Sequence, residues 1–413
     1  MTLRHIALII AAALLAGCGG PQGALMQPPG GAFARSSARS LTSNYRTLFD
    51  FDHKDGYSPR GDLVAHHGVL YGVAQGGQNS TCRSHQGCGV IFSIRPGGAE
   101  KVLYAFGGLT QGAFPTGPLT YYSGSLYGTT QNGGACDGHC GMVYSYSLAK
   151  STLTPLFRFN GRADGKYPYS GLTLLDGVLY GTTQTGGGRG HCPEGCGTVF
   201  AIAPFTGHLT TLYRFTGGSG GSYPRTLVAL NGTLYGIVNL AGGTACGYGG
   251  CGGIFSLTRS GTERTLYAFT GADGEDPSAL ISNGNGLYGA TSKGGAYGNG
   301  TAFTLTTSGT ESVFYAFPDV QSDGSGPNSL TLLNGVLYGT TVVGGSDDIG
   351  TLFSLTSSGV ESVLHDFTGD PDGRYPNGQL TELNGVYYGA TSRGGTFGDK
   401  ASEGLGTIYR YKP

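Results

Sequence analysis

Eight of the chain's nine cysteines fall in short local pairs: Cys82 with Cys88, Cys136 with Cys140, Cys192 with Cys196, and Cys246 with Cys251. His85, His139 and His191 stand in or beside three of these loops, which raises zinc as one chemistry. Two thiols and one imidazole leave a tetrahedral site incomplete, so the pairs are read as four disulfides of an exported chain, with Cys18 as the odd thiol. The sequence is therefore expected to carry no metal and no cofactor.

A second recurring group is an Asp-Gly step shortly before a proline, at Asp55, Asp164, Asp273, Asp323 and Asp372. Asp before Gly braces a turn through nearby backbone amides, and one carboxylate per loop falls short of the roughly six to eight oxygens calcium takes. Phe114, Tyr167, Tyr223 and Tyr375 directly precede their prolines and could stack on sugars beside those carboxylates; packing against a neighbouring loop is the alternative. His365 stands where other units carry Tyr, Asp347-Asp348 is an unpaired acidic turn, and no serine sits in a Gly-x-Ser-x-Gly elbow. On this reading the chain is not an enzyme. The alternative is a hydrolase or lyase acting on polysaccharide, with catalytic groups drawn from several repeats.

These residues hang on a repeat. Leu-Tyr-Gly occurs at Leu70, Leu126, Leu179, Leu234, Leu287 and Leu337 and returns as Tyr387-Tyr388-Gly389. Seven copies of one unit imply architecture before chemistry. The third unit is representative: Gly171–Leu175, a turn at Asp176-Gly177, Val178–Thr183, Gly186-Gly187, Gly197–Ile202 and Leu209–Phe215. Runs of Leu, Val, Thr, Tyr and Phe between glycine clusters, with no helical period, predict four short strands per unit. Asp176-Gly177, Asn231-Gly232, Asn334-Gly335 and Asn384-Gly385 predict two-residue antiparallel hairpins. Sheets apolar on both faces must stack, and stacking them radially gives an all-β, seven-bladed β-propeller of four-stranded antiparallel blades. The chain opens with an outer-strand pattern, Tyr45–Phe51, and closes with a third-strand pattern, Gly406–Tyr411. Pairing of the N-terminal strand with the C-terminal blade should close the ring.

The ordered pattern of Tyr-x-Phe, Asp-Gly, Pro, Leu-Asn-Gly, Leu-Tyr-Gly-Thr-Thr, Gly-Gly and Gly-Thr-x-Phe resembles the bacterial GloVer tandem-repeat family and, more distantly, kelch repeats. The resemblance covers nearly all of the chain after residue 44. It implies an exported protein tied to the surface, and it brings no established reaction and no catalytic residue with it. The paired cysteines are a departure from the plain pattern.

The first 18 residues have the layout of a signal peptide: Arg4 and His5, an apolar run from Ile6 to Leu15 too short to span a bilayer, then small residues. Leu15-Ala16-Gly17-Cys18 resembles a bacterial lipobox, which makes Cys18 the expected lipidated residue. Residues 19–44 read as a Gly/Pro/Ser-rich tether and 45–413 as the propeller domain. Net charge is −1 with no basic run, which argues against a nucleic-acid partner. The whole reads as a monomeric lipoprotein of the bacterial cell envelope, anchored to the membrane by lipid and exposed to the periplasm or the cell exterior. Its propeller is expected to present a loop-rich face to a glycan or an envelope protein; a purely structural envelope role is a further alternative.

Overall fold

The computed structural model describes residues 44–78, 82, 87–108, 111–136, 139–188, 190–241, 246–247, 249–318, 323–397 and 404–413. The signal segment, Cys18, the tether up to Ser43 and His85 lie outside the described residues.

The strands form seven antiparallel sheets, one per repeat, as the seven-bladed expectation requires. Blade 1 shows the plan: an inner strand Tyr57–His66, a second Val69–Gly76, a third Val90–Ile94 and an outer strand Glu100–Ala105. The inner strands of successive blades contact one another all the way round, so they line the axis. The seventh blade contains Arg374–Leu383, Val386–Arg393 and Thr407–Tyr411 from the C-terminus and takes its outer strand, Tyr45–Asp50, from the N-terminus. Tyr45 lies opposite Tyr411 and Asp50 opposite Thr407, so the strand nearest the N-terminus pairs with the last strand of the chain.

The hairpins between inner and second strands have positive φ at both central residues, as at Asp176 and Gly177, Asn231 and Gly232, Asn334 and Gly335, and Asn384 and Gly385. This is the backbone that the twist of paired strands favours. The glycine of Leu-Tyr-Gly has a different task. A Cβ on Gly181 or Gly236 would collide with the ring of Phe200 or Phe255 on the third strand, so the missing side chain is the bed on which that ring lies.

Blades meet through one unit repeated seven times. Each outer strand ends in a Phe whose N–H donates to the carbonyl of a glycine at the start of the same blade's third strand, as Phe215 to Gly197 at 3.0 Å and Phe51 to Gly406 at 3.1 Å. The Phe ring stands edge-on to the third-strand aromatic of the next blade; Phe215 to Phe255 and Phe51 to Phe92 have centroids 5.2 and 5.1 Å apart. Into the space over that glycine comes the proline ring of the next blade, Pro224 over Gly197 and Pro59 over Gly406, where any Cβ would overlap the ring. The residue before each proline donates its N–H back across the seam: Tyr223 to Cys196 at 2.9 Å, Ser58 to Leu405 at 2.7 Å.

Two inner strands depart from the plan. That of blade 2 is broken into Ala113–Pro115 and Thr120–Tyr122, and that of blade 3 is reduced to Thr173–Leu175. Every full-length inner strand bulges just after its proline, and blades 1, 2, 3 and 7 carry one more residue there than blades 4 to 6 do; blades 1 and 7 absorb it within a continuous strand. In blade 2 that stretch contains Pro118, which has no N–H to give to a ladder.

The outer strands of blades 1, 4, 5 and 6 begin with Glu100, Glu263, Glu311 and Glu361, and in each one carboxylate oxygen is buried without a hydrogen-bond partner. Three of them face acids of the preceding crossover: Glu100 meets Asp55 and Asp52, Glu311 meets Asp273, and Glu361 meets Asp323 and also Asp366. Burial first, and these carboxylates second, push Glu100, Glu311 and Glu361 up to about 7 from an ordinary 4.5. A carboxyl that holds its proton more tightly when folded stabilises the fold fully below its unfolded pKa, and that contribution is lost as pH rises through the folded value. Melting temperature should therefore fall between pH 5 and pH 8, and the triple change of Glu100, Glu311 and Glu361 to Gln should flatten the decline. A melting temperature that climbs across this window would contradict the assignment.

Candidate functional site

All four cysteine pairs are joined, with Cα–Cα separations from 5.1 to 5.7 Å, in the loops between second and third strands. Disulfides persist in oxidising compartments, so the chain works outside a reducing cytosol. Among the described residues no helix is long and apolar enough to cross a membrane. The second cysteine of each pair is buried, and its carbonyl accepts the hydrogen bond from the next blade's pre-proline residue: Cys88 from Phe114, Cys140 from Tyr167, Cys196 from Tyr223, Cys251 from Asp276. The short bridge holds the acceptor of the seam in place. Blades 5 to 7 fill that position with Asn299, Ile349 and Leu405 instead.

The pre-proline residues take a conformation that sequence rules disfavour. Ser58, Phe114, Tyr167, Tyr223, Asp276 and Tyr375 have φ between 52 and 57°, and Gly326 has 64°. Left-handed backbone costs an L-residue about 1–2 kcal/mol, and the seam hydrogen bond is what sets it. Phe114, Tyr167, Tyr223 and Tyr375 thus occupy one circle on the loop face, each half-buried. Phe114 packs into the seam between blades 1 and 2. Tyr167 carries the Lys166 ammonium 4.5 Å above its ring centroid.

The Asp-Gly carboxylates lie inside their crossovers. Asp164 accepts from the Asn160 N–H at 3.1 Å; Asp273 accepts from the Thr270 N–H at 2.8 Å and from the Tyr267 hydroxyl at 2.5 Å; Asp372 accepts from the Thr368 N–H at 3.0 Å. In blade 1 the equivalent brace comes from Asp52, which takes the N–H of Lys54 and of Asp55, while Asp55 stays half-buried near Glu100. Asp323 opens the blade-6 inner strand beside Glu361. His365 lies 2.9 Å from Asp372 through Nε2 and stacks on Tyr45 at 3.5 Å between centroids, in the place Tyr267 takes two blades earlier. Asp348 accepts from the Gly344 N–H at 2.8 Å within its own loop.

The loop face holds a cleft of about 500 Å³ in blade 3, walled by glycines and by Arg162, His191 and Glu194, with the Cys192 bridge as part of its rim. Its glycines bring backbone directly to the surface. Glu194 is tied to Lys166 at 3.2 Å, which links the cleft to the Tyr167 ring. Towards the axis lie Tyr169 and Arg225, both exposed. They occupy the position just after the proline, where Thr116, Ser278, Asn328 and Asn377 instead hydrogen-bond to the proline carbonyl of the next blade. Comparing this one position across the repeats in sequence would have singled out Tyr169 and Arg225, along with Arg60, which bonds Gln75 at 3.1 Å. Asp62, beside Arg60 on the same inner strand, accepts from the Gln379 N–H, and burial pushes it up to about 6. Among the described residues no group of His, Cys, Asp and Glu is arranged to hold a metal ion.

The chain matches the Gloeobacter/Verrucomicrobia repeat over residues 30–249 and again over 241–413. No curated protein matches it. Among solved structures, an oligogalacturonate lyase in complex with manganese is 10% identical, with a TM-score of 0.54 over 87% of this chain and 89% of that one. The oligogalacturonate lyase of Vibrio parahaemolyticus gives 10% and 0.52 over 89% and 96%, and a putative 6-phosphogluconolactonase of Bacteroides fragilis 16% and 0.50 over 83% and 94%. At these identities the likeness is one of fold alone. It does correct the expectation that the chain is not an enzyme: that rested on the lack of a contiguous catalytic motif, and this architecture is one that enzymes use.

If the seam sets the backbone at Tyr167, the change Tyr167→Gly, which imitates Gly326 of blade 6, should leave stability within about 1 kcal/mol. Relief of left-handed strain offsets glycine's greater loss of freedom, about 0.5–1 kcal/mol. A loss of several kcal/mol on thermal melting would make the ring a structural requirement.

Proposed function

Because the chain belongs to the Gloeobacter/Verrucomicrobia repeat family and joins seven like blades into one ring, we propose that it is an envelope-anchored binding module. In this reading Cys18 carries the lipid, residues 19–44 are the tether, and the loop face holds a polysaccharide. The observation that carries the proposal is the blade-3 cleft: about 500 Å³, floored by glycine backbone, edged by Arg162, His191 and Glu194, and continuous through Lys166 with the half-buried Tyr167 ring. Sugars are held by polar groups at the edge of a shallow cleft and by flat rings, and contacts spread over several blades add by avidity. The other pre-proline tyrosines, Tyr223 and Tyr375, offer weaker secondary contacts on the same circle.

A second reading is favoured by the contents of the same cleft. His191 and Glu194 are residue types that serve as general base and acid, and the fold's neighbours include oligogalacturonate lyases. Bound polymer would then be cut as well as held.

Both readings are separated by incubating the purified protein with a panel of polysaccharides, assaying retention on each and release of short products by mass spectrometry. Retention that falls at least about tenfold when Tyr167 and His191 are changed to Ala, without products, is the expected result. Products lost with Glu194→Gln would establish catalysis in the cleft. No retention and no products would overturn the polysaccharide reading in favour of a protein partner or a structural role.

A further inference from the structure

The loop face is electrically divided. Around blade 3 and the start of blade 4, the outer-strand ends, crossovers and cleft loop carry Arg158, Arg162, Lys166, Arg214 and Arg225, against Asp164 and Glu194. Both of those acids are engaged, Asp164 with its own crossover and Glu194 with Lys166. Two blades on, the sign reverses: the equivalent segments of blades 5 and 6 carry Asp273, Glu275, Asp276, Asp323, Asp347, Asp348 and Asp366, and among the described residues their cation is Lys293, paired with Asp276 at 2.9 Å. A net charge of −1 for the whole chain hides this division.

Within the positive sector, two arginines have their backbones fixed by hydrogen bonds while their exposed side chains form no ion pair among the described residues. Arg162 donates its N–H to Asn160 Oδ1 at 2.9 Å, and its carbonyl accepts from Gly187 at 2.7 Å. The Arg225 carbonyl accepts from Thr182 Oγ1 at 2.7 Å. Both side chains are exposed, and neither is in an ion pair among the described residues. One lines the cleft and the other follows the proline of the neighbouring blade, with exposed Tyr169 in the crossover ahead of the blade-3 inner strand. Arginine presents a planar fork that matches a carboxylate or sulfate with two parallel hydrogen bonds.

We infer that the polysaccharide is anionic, and that it crosses the face from the blade-3 cleft to the axis over Arg162, Tyr169 and Arg225. This deepens the function proposed above and rests on it. The acidic sector of blades 5 and 6 repels the same polymer and so limits it to one path. Carboxylated and sulfated chains share the recognised chemistry.

The test is affinity electrophoresis of the protein in gels containing polygalacturonate, alginate, dextran sulfate, or neutral dextran and mannan. Retardation by one or more anionic polymers, weakened at least about tenfold between 50 and 500 mM NaCl, is expected because exposed charges are screened over about 10 Å at 0.1 M salt. The double change Arg162→Ala and Arg225→Ala should abolish most of it, while Lys293→Ala should leave it intact. Which polymer retards the protein distinguishes carboxylate from sulfate. Retardation by neutral polymers alone, or retardation that the double change leaves untouched, would overturn this inference and leave the binding proposal standing. Retardation by none would remove both.

Discussion

Everything in this molecule depends on the contact of a proline ring with a bare glycine across each seam. The glycine's missing side chain admits the ring, its carbonyl takes the N–H of the outer-strand Phe, and that Phe then stands edge-on to the next blade's aromatic. One hydrogen bond from the pre-proline residue locks the same junction from the other side. Single contacts of this kind are worth about 1 kcal/mol. Repeated round a closed ring they are cooperative, because no blade can leave without opening two seams.

This constraint explains where variation is allowed. The seams fix the proline, the glycine after the acceptor and the aromatic pair, and they leave free the side chain of the pre-proline residue, the residue after the proline and the loop before the third strand. Those free positions are where the chain differs from blade to blade: Ser58 against Tyr167, Thr116 against Arg225, a disulfide in four blades and none in three. The disulfides serve the constraint directly, because each immobilises the very residue whose carbonyl the next blade uses. The loop face can then carry a cleft and a division of charge without loosening the ring.

The fold was legible because its signals are local. Asn231-Gly232 dictates a hairpin by its own backbone preferences, and the alternation of Phe255 and Leu257 declares a strand face. The left-handed backbone at Tyr167 and Tyr223 was not legible, since a residue before proline prefers extended geometry and only the neighbouring blade overrides it. The broken inner strand of blade 2 had its local mark in Pro118, inside a stretch of the same length that blades 1 and 7 carry without a break. At the site, sequence drew attention to Tyr167 and to the Asp-Gly carboxylates, and it weighed His191 only for a zinc site that it set aside. Arg225 could have been found by comparing the residue after each proline, whereas Arg162 and Glu194 went unnoticed because what marks them is the cleft they line, a property of three dimensions. The absence of a contiguous catalytic motif was overread for the same reason: a propeller gathers groups from separate blades.

The central claim is that the seam glycine is required for its emptiness as well as for its backbone angle. Comparing the thermal stability of Gly197→Ala with that of Gly218→Ala tests it most directly. Both residues have positive φ, 96 and 64°, but a Cβ at 197 would overlap Pro224 across the seam as well as the Thr183 carbonyl of its own blade, whereas one at 218 meets nothing. Strain alone costs about 1–2 kcal/mol at either position, and overlap in a packed contact adds about 1–3 kcal/mol more. The account predicts that Gly197→Ala is clearly the less stable of the two. Equal losses would mean that the blades are held together by something other than the proline–glycine contact.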